Sequence, residues 1–118
     1  MQDVPPVEKL CYAILLSSLK KRATDIVIRR DTLSRVEFTI DGAISEEMRP
    51  PRVLHPVLVR KIGVMAGVPY YKKGEHGLGR LMLKIGSELR AAIWDVRLDG
   101  HGDDVSARLR LVEYVGAN

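Results

Sequence analysis

The sequence predicts an α+β fold: about six strands in a mainly antiparallel sheet, with two main helices packed on it. Three observations carry that prediction. Apolar residues recur at three- and four-residue steps in two stretches, Val7 to Arg22 and Leu54 to Ala66. Elsewhere they alternate with polar residues, as a strand with one buried and one wet face requires. The alternating stretches are joined by short turn-forming segments, which is how neighbours in an antiparallel sheet connect.

Taken in order, residues 1–6 read as an extended lead-in ending at Pro5-Pro6, and 7–114 as a single domain before a short tail, 115–118. The first helix carries Val7, Leu10, Cys11, Ile14, Leu15 and Leu19 on one face. Glu8 in its first turn and Lys20-Lys21-Arg22 in its last match the helix dipole, so the cationic cluster needs no anionic ligand to explain it. Asp25 to Ile28 is β-branched and apolar, Thr32 to Arg35 reads as a turn, and Val36, Phe38 and Ile40 alternate with Glu37, Thr39 and Asp41. Asp41-Gly42 is a tight-hairpin dipeptide, because glycine accepts φ > 0, and Ala43 to Glu46 follows as a third strand.

Pro50-Pro51 then forms a rigid connector, and Gly67 is placed to stop the second helix. Val68 to Gly79 reads as a long connection whose Tyr70-Tyr71-Lys72-Lys73 is either a contact surface or a loop packed over the sheet. Arg80 to Ile85 and Leu89 to Leu98 flank a hairpin turn at Gly86-Ser87, and Val105 to Tyr114 is the last strand, after a turn at residues 100–104.

Composition bounds the function. A chain of 118 residues buries enough surface for one core without staples. The single cysteine, Cys11, lies among the apolar residues of a helix and reads as a small buried hydrophobe, which fits a reducing, cytoplasmic setting. No stretch approaches about 18 uninterrupted apolar residues, and the first residues lack a basic-then-apolar leader, so neither a membrane span nor a signal peptide is expected. Net charge is +4, with lysines and arginines dispersed along nearly every element. A basic domain can bind nucleic acid, but dispersed charge and the lack of any helix-turn-helix, zinc-finger or RNA-recognition pattern argue against it.

Apparent chemical motifs fail on their details. Gly74 to Leu81 has the spacing of a phosphate loop, but Arg80 stands where a lysine must reach the phosphates and Leu81 replaces the metal-binding hydroxyl. His101, Asp103 and Asp104 crowd one turn, and His55 and His76 fit no zinc spacing. No placed nucleophile marks a hydrolase. Neither a metal nor any other cofactor is expected.

The order of several short motifs is more telling. A helix is followed by Ala23-Thr24-Asp25-Ile26, then Ile40-Asp41-Gly42, then Ile62-Gly63-Val64-Met65-Ala66-Gly67, then Gly79-Arg80, and finally Gly102-Asp103 with Arg108. Over about residues 7 to 113 this resembles the N-terminal domain of the ATPases that drive type II secretion and type IV pili. The resemblance implies a PAS-like domain that normally precedes a RecA-like motor, packs on the neighbouring subunit of a hexamer and offers arginines to the nucleotide held there. The sequence departs from the family at Val27, where the pattern has histidine, at Glu37 and Thr39, where it has two strand arginines, and at Ala92 or Ile93, where another arginine is usual.

No Walker A, Walker B or histidine-box motif occurs, so this chain is expected to act as a non-catalytic interaction module rather than an enzyme. It would dock to a secretion or pilus ATPase subunit, or to an associated cytoplasmic component; an excised fragment of a longer ATPase is the nearest variant. The interface or nucleotide-facing candidates are Arg80, Arg108, Asp25, Asp41 and Gly42. A structural alternative makes the two arginines solvent-facing strand residues, or fold-stabilising ion-pair partners of residues such as Asp25 or Asp41. A functional alternative is a small-ligand sensor with a cavity lined by Val27, Phe38 and Trp94; nucleic-acid binding is a third. Open sheet edges also leave a route to homo-oligomers.

Overall fold

A computed structural model describes residues 6–86 and 90–115. Residues 1–5 of the expected lead-in, Ser87 of the expected hairpin turn, the expected strand start at Leu89 and the last three residues of the tail lie outside the described residues, while Pro6 already belongs to a helix. One sheet of six strands runs in the order β3-β2-β1-β6-β5-β4, with every neighbouring pair antiparallel. The strands are β1 (Asp25–Arg30), β2 (Ser34–Ile40), β3 (Ala43–Met48), β4 (His76–Ile85), β5 (Arg90–Asp99) and β6 (Ser106–Val115). Two helices, α1 (Pro6–Lys20) and α2 (His55–Met65), cover one face. The expected α+β layer is therefore what forms.

Alternation decides which side chains meet the helices. Ile26, Ile28, Val36, Phe38, Leu81, Trp94, Val96, Ala107 and Leu109 turn to the covered face and are buried, joined there by Cys11, Ile14 and Leu15 from α1 and Leu58, Val59 and Ile62 from α2. Burial also pushes the Cys11 thiol up to about 11, which suits an inert core residue. Both helices end in the same hydrogen-bonding pattern. Ala23 N–H reaches the Ser18 carbonyl at the end of α1, and Val68 N–H reaches the Gly63 carbonyl at the end of α2, each passing through a left-handed residue, Arg22 or Gly67.

The sequence reading needs two corrections. The turn after β1 is shorter than Thr32 to Arg35, because Ser34 and Arg35 already pair with Arg30 and Arg29 in the sheet. The connection after α2 ends at Glu75, not Gly79, because Gly77 and Gly79 belong to β4. A Cβ on Gly79 would run into the Ala66 carbonyl, and one on Gly77 into Val68 and Tyr71. Glycine here permits a close approach between strand and helix end, which sequence alone reads as loop.

Candidate functional site, the open face of the sheet

The face turned away from the helices carries Asp25, Val27, Arg29, Glu37 and Thr39 from β1 and β2, and Arg80, Asp95, Arg97, Asp99, Arg108 and Arg110 from the other half of the sheet. Pairing register lines these residues up in rows. One row runs Thr39, Asp25, Arg110, Asp95, Arg80 across five strands, so charge alternates along it. It is largely self-neutralising: Arg80 Nη2 lies 2.8 Å from Asp95 and Arg110 Nε 3.4 Å from Asp25. The adjacent row runs Glu37, Val27, Arg108, Arg97, Leu78, and it places two guanidinium groups side by side on β6 and β5.

Those two arginines differ in what they hold. Arg97 donates through Nε and Nη2 to the two oxygens of Asp99, at 2.9 and 3.2 Å, and that fork holds its proton more tightly than usual. Arg29 is tied the same way to Glu37, at 2.9 and 3.0 Å, and the bond pulls the Glu37 carboxyl below its ordinary range. Arg108 makes no ion pair or side-chain hydrogen bond among the described residues. It lines a shallow depression of about 660 Å³ together with Val27 and Leu78, with Arg29, Arg97 and Arg110, and with Asp95 and Asp99. A planar fork of five donors, itself uncommitted and lying among Arg29, Arg97 and Arg110, each already paired to a carboxylate, is matched to a carboxylate or a phosphate oxygen pair on a partner.

The position of Arg108 is set from the covered side. His55 is fully buried, its Nε2 2.7 Å from the Val105 carbonyl and its Nδ1 2.7 Å from the Ser34 hydroxyl. With Nε2 protonated and Nδ1 accepting from the hydroxyl, both contacts are satisfied. Arg30 adds a bond from Nη1 to the Asp103 carbonyl at 3.1 Å. Together they fix the loop that enters β6 to the start of β2 and the end of β1. Three residues past Val105, the alternating strand turns Arg108 outward.

The structure gathers some of the expected site residues and separates others. Arg80, Arg108 and Asp25 share the open face, with Arg80 and Arg108 two strands apart. Asp41 and Gly42 form the β2–β3 turn, with φ of 53° and 81°, and stand apart from the arginines. Arg80 pairs with Asp95, Asp25 pairs with Arg110, and Arg108 faces solvent, so neither arginine takes Asp25 or Asp41 as its partner. Val27 faces away from Phe38 and Trp94, so the three do not line one cavity. Arg97, Arg110 and Arg29 were missed as site residues; alternation around Arg108 was the available signal for Arg110, but the register that brings β1 and β5 alongside has no local signature. Of the two tyrosines, Tyr71 packs down, its hydroxyl donating to the Gly100 carbonyl at 2.7 Å, while Tyr70 is 86% exposed.

Comparison with known proteins places this architecture. Residues 1–110 match a family model described as type II/IV secretion system protein. The chain is 37% identical over 114 residues to the type II secretion system ATPase E of Vibrio cholerae, a match that covers 92% of this chain and 22% of that protein. It is 35% identical over 115 residues to the type II secretion system protein E of Klebsiella pneumoniae, again over 92% of this chain and 22% of the relative. It is 36% identical over 85 residues to the type IV pilus assembly ATPase PilB of Myxococcus xanthus, over 71% of this chain and 15% of that protein. The chain thus spans about a fifth of the length of the curated relatives it matches.

Proposed function

This chain belongs to the type II/IV secretion system protein family, and from that premise we propose that it is a non-catalytic, PAS-like docking module of a cytoplasmic secretion or pilus ATPase machine. Its open sheet face is the surface that meets the motor subunit or an associated component. The observation that carries the reading is Arg108, a guanidinium with no carboxylate partner among the described residues, at the centre of a face that the chain's own helices leave uncovered. Arg80 and Asp25, each held by a partner of opposite charge, set the shape and charge register around it. The likeness to parts of named ATPases supplies the class of partner; the chemistry of the face supplies the mode, a polar and salt-sensitive contact to an acidic or phosphorylated group.

The test is a titration of this chain against the segment of the Vibrio cholerae ATPase that lies outside the matched region, immobilised with and without nucleotide. Saturable binding is expected, weakened about tenfold by Arg108→Ala and less by Arg108→Lys, and falling as salt rises. Absence of binding at low salt, or equal binding by Arg108→Ala, would remove the open face from the interface.

A further inference from the structure

The sheet has two edges, and they are finished differently. The β3 edge is irregular: a bulge lies opposite Val36 and Glu37, and its carboxylates are held by Arg35 and Arg49 on Glu46 and by Lys21 on Glu47. These are the features that stop a strand from templating another. The β4 edge is straight, paired residue for residue with β5 from His76 to Ile85. It is covered at Arg80, whose N–H points outward and donates to the Ala66 carbonyl at 2.9 Å. By strand alternation Met82 and Lys84 present their N–H and C=O on that same outer side, where no further backbone bond is made among the described residues.

The stretch from Met82 to Ile85 borders an apolar groove of about 600 Å³ lined by Tyr12, Leu16, Met65, Leu83 and Ile85, and along it Met82 and Lys84, its one charged residue among the described residues, are turned by alternation to the open face. Leu16 is 46% and Met82 57% exposed, and Lys20 continues the Tyr12–Leu16 row one turn further along α1. We propose that the Met82–Ile85 edge of β4 is a strand-addition site, which takes an extended acidic segment of another polypeptide as a seventh, antiparallel strand. Backbone bonds to Met82 and Lys84 hold it, alternate apolar side chains fill the groove beside Tyr12 and Leu16, and carboxylates on the other face meet Lys84. Charge decides the occupant. A second copy joined through the same edge would bring two Lys84 ammonium groups together, and the acidic edge of β3 is bulged with its carboxylates already paired.

The probe is a fluorescein-labelled nonapeptide of alternating valine and glutamate, titrated against the intact chain by anisotropy, with amide chemical shifts followed in parallel. Saturable binding is expected, with shifts centred on Met82 to Ile85, Tyr12 and Leu16. N-methylation of the peptide's alternate amides should weaken it about tenfold or more, as should Met82→Pro, which removes one outward N–H at an edge position where proline is tolerated. Lys84→Glu and an alternating valine–lysine peptide should each bind less. The idea is overturned by no saturable binding, by an N-methylated peptide that binds as well, by shifts confined to the Arg108 face, or by self-association of the chain through β4 that excludes the peptide. Should Met82→Pro fail to fold, the N-methylated peptide still decides.

Discussion

Trp94 and Asp95 are neighbours on β5 and live in different media. Trp94 is 1% exposed beneath the helices, whereas Asp95 is half exposed in a pair with Arg80. The covered face is a continuous apolar layer whose members are held by shape, and the open face is a lattice of charges held by register. On the proposed function, the difference teaches that stability and recognition are assigned to opposite sides of the same six strands. The covered side can change little without unfolding the sheet, and the open side can change sign residue by residue while the sheet persists. Glu37 and Thr39, the two positions where the sequence reading expects a departure from the family's strand arginines, both lie on the open side.

Trp94→Ala tests that division most severely. Deleting a fully buried indole should cost about 3–5 kcal/mol, read as a lower urea midpoint. Arg97→Ala, on the opposite face of the same strand, should cost about 0.5 kcal/mol or less, since the pair it breaks with Asp99 is exposed on both sides. Comparable losses from the two variants would mean that the open face is part of the core and not a surface held in reserve.

His55 breaks the simple picture of an apolar cover, and His55→Leu measures by how much. The substitution fills a similar volume but strands the Ser34 hydroxyl and the Val105 carbonyl in a buried place, so a loss of about 2–3 kcal/mol is expected. The variant should also loosen the entry to β6, seen as faster amide exchange at Val105 to Ala107 than at Ile26 to Ile28. A stability unchanged from the parent would show that these two bonds are replaceable by water and do not fix Arg108.

Acid separates the faces by a different route. Asp31 is held down to about 2, chiefly by the Leu33 N–H and then by Arg35 and Arg29. Glu37, Glu46 and Glu47 are lowered by their bonds to Arg29, Arg49 and Lys21 respectively. A carboxyl with a depressed folded pKa takes up its proton more readily when unfolded. Its contribution is therefore complete above the ordinary carboxylate range and is lost as pH falls through the folded value. The urea midpoint should hold level down to about pH 5 and drop between there and about pH 2. Glu37→Gln should shrink that drop, and a drop of undiminished size would assign acid sensitivity elsewhere.

How much of this was legible depends on how local each signal is. The α1 stripe, the Asp41-Gly42 turn and the alternation of Val36, Phe38 and Ile40 are written within a few residues, and each formed as read. The start of β4 was missed because Gly77 and Gly79 mean loop to a local reading, and only contact with Ala66 and Val68 gives them a place in a strand. The site was legible in the same proportion. Arg108 and Arg80 could be named from their motifs, but Arg97 beside Arg108 and Asp95 beside Arg80 follow from the pairing of distant segments. Nothing in the neighbouring residues announces that register. His55 was weighed only as a metal ligand, since the serine and the carbonyl that satisfy it lie 21 and 50 residues away.

The finest test compares the ends of the two covering helices. Both close with the same pair of backbone bonds, but the left-handed position holds Gly67 after α2 and Arg22, at φ 59°, after α1. A side chain in that conformation crowds its own carbonyl, and glycine does not. Arg22 is exposed and forms no ion pair among the described residues, so Arg22→Gly should leave every contact of the cover in place. The gain from relieving the backbone outweighs glycine's greater freedom in the unfolded chain, and the thermal midpoint should rise by a few degrees, about 0.5–1 kcal/mol. Gly67→Ala should lower stability by at least as much, because the strain it introduces exceeds the entropy it removes from the unfolded state. If Arg22→Gly destabilised instead, the arginine would hold something at the junction of α1 and β1, and the division between a structural cover and a recognising face would have to be redrawn there.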